Sequence, residues 1–322
     1  MGQISHPYDY AVAHRQALKV NWQLDDIIGG EKRLDFRTPF LPDAWVDADA
    51  LPFLSAAERL TVNHIRSHSY LALFGLVEEY IVPFVIEQIQ ARIHRAAQAE
   101  LQALLHFAEE ESKHIELFQR FGAEFRAGFA SPCEVIGPPA AVAAQILRKS
   151  PLGVALSILQ IEWMTQLHYV ASVKDNHDLD AQFCSLLRHH WLEEAQHAKL
   201  DTLLVAALAQ LLSATEIEVG IDDYLDIGGM FDEAFHQQVE LDLTALTRAT
   251  GRQLSADEAE RYRAVQLQSY RTTFLTSGMR HPQFQRTLAA LSPDGVTRVM
   301  DVTEALGPAS IHRPMGPHQE AC

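Results

Sequence analysis

Long stretches of this chain repeat apolar residues at three- and four-residue intervals, and Pro, Gly and Asn separate the stretches. That period is helical. From Ser55 the pattern runs to about residue 95, and Ser55-Ala-Ala-Glu58 is a capping box that opens it. Pro83 lies inside this stretch and predicts a kink, because proline removes a backbone donor. Further helices are predicted over residues 97–129, 140–148, 152–174, 181–213 and 215–250, the last interrupted near Gly228-Gly229. Ser255-Ala-Asp-Glu258 caps another, to about residue 277, and shorter pieces reach about residue 306. No stretch alternates convincingly as a strand does, so the expected class is all-α.

Residues 1–54 hold much of the early Pro and Gly and no sustained period, and read as an arm packed on the domain. The tail 307–322, with Pro308, Pro314 and Pro317, reads as loose. Between them, 55–214 forms a bundle core and 215–306 supplies additional helices that cover it, all in one structural domain.

The core carries an internal repeat. Glu79, Glu111 and His114 recur 83 residues later as Glu162, Glu194 and His197. One duplicated helix pair makes a four-helix bundle rather than a solenoid. Residues three apart share a helix face, so each Glu-x-x-His aims two side chains at one point. Glu79 lies among Leu76, Val82 and Ile86; Glu162 has Ile158, Leu159 and Tyr169 near it. Carboxylates on such faces cost several kcal/mol unless paired or bound to metal. Two divalent cations would cancel four of them. An oxygen-rich set with one imidazole per ion suits iron or manganese better than a closed zinc site. The ligand pattern is the one used by ferritin-like di-iron and di-manganese bundles.

Some positions stay open on the residues alone. Glu78 also lies among apolar residues at helical spacing, Leu71, Phe74, Ile81 and Val85, but the 83-residue register favours Glu79. His190, four before Glu194, has no counterpart in the first half, where Phe107 stands; it is a seventh ligand or a partly buried polar residue. Asp201 and Gln166 are candidates to orient ligand side chains. Glu110 and Glu193 fall off the ligand face, with His106 and His189 in pairing distance. His64 and His68 read as core or surface histidines, and Gly75 as a helix-packing contact or as space beside the metals. Glu233-Ala-Phe-His236 has no partner set and reads as a solvated face.

The formal net charge of −16 argues against nucleic acid or anionic membrane as the main partner. The start carries neither an apolar signal segment nor a myristoylation pattern. No run of about 18 apolar residues stands out, so no membrane span is expected. Cys133, Cys184 and Cys322 make no disulfide framework, which points to a reducing, cytoplasmic setting.

From about residue 60 to 210 the chain resembles ferritin-like di-iron oxygenases, and within them the p-aminobenzoate N-oxygenase family. That family's ligand order is matched by Glu79, Glu111, His114, Glu162, His190, Glu194 and His197, which makes His190 a ligand. The resemblance implies two iron ions, with manganese open, and dioxygen as co-substrate. It implies a monooxygenase acting on a small organic molecule, an amine among the candidates. No flavin or nicotinamide fingerprint is present, so an external donor, a reductase or ferredoxin, is expected, in a monomer or homodimer. The rivals are a ferritin-type ferroxidase and a non-catalytic helical binding protein.

Overall fold

The computed structural model describes residues 6–307. The reading of 308–322 as loose therefore lies outside the described residues. In chain order the helices are α1 (Tyr10–Ala17), α2 (Leu24–Ile27), α3 (Ala56–Arg92), α4 (Gln98–Gly128), α5 (Pro139–Ile146) and α6 (Pro151–His168). They continue as α7 (Ala181–Ala209), α8 (Ala214–Thr250), α9 (Ala256–Arg271), α10 (Ser277–Met279), α11 (Pro282–Leu291) and α12 (Pro293–Ala305). Wide π-type turns extend α6 over Tyr169–Val173 and α9 over Thr272–Thr276. Among the described residues there is no strand, only an isolated bridge between Gly29 and Lys32. The all-α expectation holds.

Local chemistry sets the helix starts. Ser55 accepts from the Glu58 backbone N–H while the Glu58 carboxylate accepts from Ser55 N–H, and Ser213–Glu216 and Ser255–Glu258 repeat the device. α3 packs along α4 and α6 along α7; contacts of α4 with α7 and α3 with α6 close these pairs into a bundle. α8 lies against α6 and α3, and α9 against α8.

Several expectations need correction. α8 runs unbroken through Gly228-Gly229. Gly228 is buried, and a Cβ there would stand 3.5 Å from Met279 Cε, so tertiary packing carries the helix past two poor helix formers. α3 runs through Pro83 to Arg92, close to the end that the period predicts. α3 is also the one helix among the described residues long and apolar enough to cross a membrane; 67% of its apolar window is buried inside the protein.

The arm is part of the core. Trp22, Phe40, Leu41, Trp45, Val46, Leu51 and Leu54 are all buried. Asn63 of α3 fastens it: its Oδ1 accepts from Phe40 N (2.8 Å) and Leu41 N (3.2 Å), and its Nδ2 donates to Leu41 O (2.7 Å). Phe40 then stacks on Phe183 of α7, with ring centroids 5.3 Å apart.

Candidate metal centre

Seven ionisable side chains converge in the middle of the bundle. α3 supplies Glu78, α4 Glu111 and His114, α6 Glu162, and α7 His190, Glu194 and His197, all buried. His114 Nδ1 lies 3.0 Å from Glu111 Oε2 and 3.1 Å from Glu194 Oε1. His197 Nδ1 lies 3.0 Å from Glu111 Oε1 and 3.4 Å from Glu194 Oε2. His190 Nε2 lies 2.8 Å from Glu194 Oε1 and 3.2 Å from Glu78 Oε1. Two overlapping groups result: Glu78, His114, His190 and Glu194, and Glu111, His114, Glu194 and His197. In each, the donor atoms fall within 4.8 Å of one another. Glu162 stands beside Glu194 at the edge of the cluster.

Of the seven residues expected from sequence, the structure gathers six. Glu79 is the exception: it is partly exposed in a cleft between α3 and α4. Glu78 takes the inward position, on the same stripe as the buried Leu71, Phe74, Ile81 and Val85. Helix periodicity, not the duplication register, selects the face. The repeat has slipped by one residue between α3 and α6, because only packing, not sequence spacing, ties one helix pair to the other.

The outer partners also differ from expectation. Asp201 is fully buried, but neither of its oxygens has a hydrogen-bond partner. Gln166 donates to Trp191 O (3.2 Å). The ligand imidazoles are oriented instead by Glu193 and Glu110, crosswise. His114 of α4 donates from Nε2 to Glu193 of α7 (2.9 Å), and His197 of α7 donates from Nε2 to Glu110 of α4 (3.0 Å). These contacts turn both Nδ1 atoms toward the cluster. Glu110 also meets His106 as expected (3.3 Å), whereas His189 bonds the Ser185 carbonyl (2.7 Å). Lys113 pairs with Glu193 and sits 3.8 Å over the ring of Trp22, which stacks on His114. The sequence carries a partial signal, since Glu110 and Glu193 are themselves 83 apart, which marks a repeated role but not the partner.

Protons distribute unevenly over this cluster. Burial, reinforced by Glu111 and Glu194, holds the Glu78 carboxyl well above the carboxylate range. Burial and then Glu194 do the same to Glu162. Burial opposes ionisation of Glu194 too, yet His190 and His197 hold it well below that range. His114 and His197 are raised against their burial by the carboxylates around them. Five polar atoms remain buried without hydrogen-bond partners: Glu78 Oε2, Glu111 Oε1, Glu162 Oε2, Glu194 Oε1 and His197 Nδ1. Several have a neighbour near 3 Å at an angle unfit for a hydrogen bond. Orphaned lone pairs that converge are what a cation accepts and what a proton network cannot satisfy. The residues fit two metal ions.

His64 and the third Glu-x-x-His are accounted for. His64 Nε2 contacts Thr38 O at 2.9 Å, as a core histidine does. His236 is half exposed beside Asp232 and Arg271.

No family model matches the chain, and no curated protein matches it. Solved structures do align with it. One is a variant of an R2-like ligand-binding oxidase with an aerobically reconstituted Fe/Fe cofactor, 13% identical, covering 83% of this chain and 93% of that one, with a TM-score of 0.48. Another is an R2-like ligand-binding oxidase with an aerobically reconstituted Mn/Fe cofactor, 13% identical over 84% and 93% of the two chains, TM-score 0.47.

Proposed function

We propose that the cluster holds two iron or manganese ions and that the protein is a ferritin-like oxygenase acting with dioxygen on a small organic molecule. The observation that carries this reading is the convergence of seven buried donors with five orphaned atoms among them. Glu78, Glu111, His114, Glu162, His190, Glu194 and His197 would hold the ions. When bound, such ions supply the one-electron steps by which dioxygen reacts with organic molecules.

The chain's own residues do the rest. Glu110 and Glu193 fix the two imidazoles in orientation. Phe74, Phe107 and Phe118 pack their rings against His190 and His197 and keep water out. For an insertion of one oxygen atom, dioxygen, the substrate, two electrons and two protons give oxygenated product and water. The electrons come from an external reductase or ferredoxin. Within this reading, oxidation of an amine nitrogen is the specific reaction that the resemblance to p-aminobenzoate N-oxygenases favours, in a monomer or homodimer.

The test is anaerobic loading with ferrous iron, followed by metal analysis and exposure to oxygen. Two ions per chain and stoichiometric oxygen consumption are expected. A content well below two sinks the proposal. A large shell on size-exclusion chromatography would instead favour the ferroxidase rival.

A further inference from the structure

Asp201 is the buried acid that the metal centre does not use. It sits on α7, two turns beyond Glu194, about 10 Å along the axis at helical rise. It is fully buried, and neither of its oxygens has a hydrogen-bond partner, among the seven donors of the cluster or elsewhere. Burial, opposed by His197 and reinforced by Glu111 and Glu194, holds its carboxyl well above the carboxylate range. An unsatisfied buried polar group costs about 1–3 kcal/mol, which a leucine in the same place would not.

Other orphans surround it. Tyr10 Oη on α1, Tyr80 Oη on α3 and Arg92 Nη2 on α3 are buried and also lack partners. Both tyrosines feel the charge of Asp201. Tyr10 feels Glu100 and Arg92 as well, a pair 3.4 Å apart where α3 ends and α4 begins. Tyr80 feels Glu78 and Glu162. The groups form a row. It starts at the partly exposed Glu100 and Tyr10 and passes Asp201 and Tyr80. It ends at the Glu162 edge of the cluster, where Glu162 Oε2 is orphaned too. The His197 ring is covered by Phe107 and is not where the row arrives.

This approach comes from the end of the bundle away from the cleft. The cleft takes its lining from α3 up to Glu79 and from α4 beyond His114. The row uses α3 from Tyr80 onward and α4 at Glu100. Polar groups that sit near one another without bonding are what ordered water bridges. A buried water makes about 2–4 hydrogen bonds, and the Asp201 oxygens with the two tyrosine hydroxyls supply that many partners.

We infer that Asp201 is the middle of a buried water chain that carries protons from the surface at Tyr10 to the metal cluster. The tyrosine hydroxyls hold the waters. Asp201 passes a proton inward and takes one back from the α1 side, so it ends each cycle as it began. The chain supplies the two protons consumed when dioxygen, substrate and two electrons become oxygenated product and water. That use of the protons rests on the function proposed above; the water does not.

The experiment has two arms. In a crystal structure of the metal-free full chain, ordered water is expected within hydrogen-bond distance of Asp201 and of Tyr10 or Tyr80. A dry Asp201 overturns the inference. In the second arm, Asp201→Asn and Asp201→Ala are loaded with ferrous iron. Metal content should stay at two ions per chain, and the melting temperature of Asp201→Asn should stay level or rise, because an orphaned carboxyl is gone. Oxygen consumption should fall at least about tenfold, less than the about 10²–10⁴ of a group that itself protonates a reacting atom. Formate, a small diffusible acid, should restore the rate in Asp201→Ala, which a merely structural role would not allow. An unchanged rate in Asp201→Asn, or a slowed one that comes with lost metal, also overturns it. Water at Asp201 in protein that takes up no iron would sink the metal reading and keep the water site. Iron uptake and oxygen consumption around a dry Asp201 would do the reverse.

Discussion

Asp242 and the Glu78–Glu194 cluster are both acidic sites sealed inside the same protein, and they solve the cost of burial in opposite ways. Asp242, on α8, is surrounded by donors. Its Oδ1 accepts from Ser69 Oγ (2.9 Å) and Gln238 Nε2 (2.8 Å), and its Oδ2 accepts from Tyr270 Oη (2.6 Å). Arg66, buried and 3.1 Å above the Tyr270 ring, supplies the counter-charge. Three hydrogen bonds satisfy both oxygens of this one carboxylate, with a guanidinium nearby. The bundle centre places four carboxylates around three imidazoles and leaves one oxygen without a hydrogen-bond partner on each of Glu78, Glu111, Glu162 and Glu194. Burial alone therefore does not mark a metal site. Convergence of acceptors in excess of donors does.

The comparison breaks most readily at Glu194, which belongs to both donor groups. Glu194→Ala is expected to reduce metal content from two ions per chain to below one, with loss of oxygen consumption; elemental analysis and an oxygen electrode would show it. Near-normal loading would mean that the two groups do not share a residue.

Asp242 answers a different probe. Burial raises its pKa from 3.8 to about 6, against the pull of Arg66 and its hydrogen bonds. A carboxyl raised on folding stabilises the protein below its unfolded pKa, and that contribution disappears as pH climbs through the folded value. Between about pH 4 and pH 7 it should remove about 3 kcal/mol of stability. Asp242→Asn should flatten that part of the pH–stability curve measured by urea unfolding, with metal content unchanged. An identical slope in the variant would contradict this account.

Smaller effects sharpen the contrast. Glu193→Gln leaves the ligands in place but removes the charge that aligns His114 and pairs with Lys113. Metal affinity in competition with a chelator should fall about 10- to 100-fold, the usual effect of losing such a partner. Glu79→Gln, one residue from Glu78 but facing the cleft, should leave metal content at two. A loss there would restore the register read from the repeat.

How much of this was legible depends on what each signal measures. Both Glu-x-x-His pairs were readable, because three-residue spacing is a local property of a helix. The caps at Ser55 and Ser255 were readable for the same reason. Glu79 was misread because the 83-residue register describes duplication, while burial follows the apolar stripe through Leu71, Phe74 and Ile81. The crosswise bonds of Glu110 and Glu193 join α4 to α7, and nothing along either helix says which neighbour it will meet. The interruption expected at Gly228-Gly229 failed because Met279, some fifty residues away, packs there. The arm was legible as a segment lying on the domain, but not which of its residues are buried, since those follow no period.

That arm imposes an order on synthesis. Asp180 N–H donates to Pro39 O (2.8 Å), Asp35 N–H donates to Asp180 (3.1 Å), and Phe40 rests on Phe183. The arm thus has its resting place built from residues translated about 140 positions later. It must stay unsettled while that stretch emerges, and a nascent chain halted before α7 would hold the aromatic residues of the arm ready for chaperones rather than for a core.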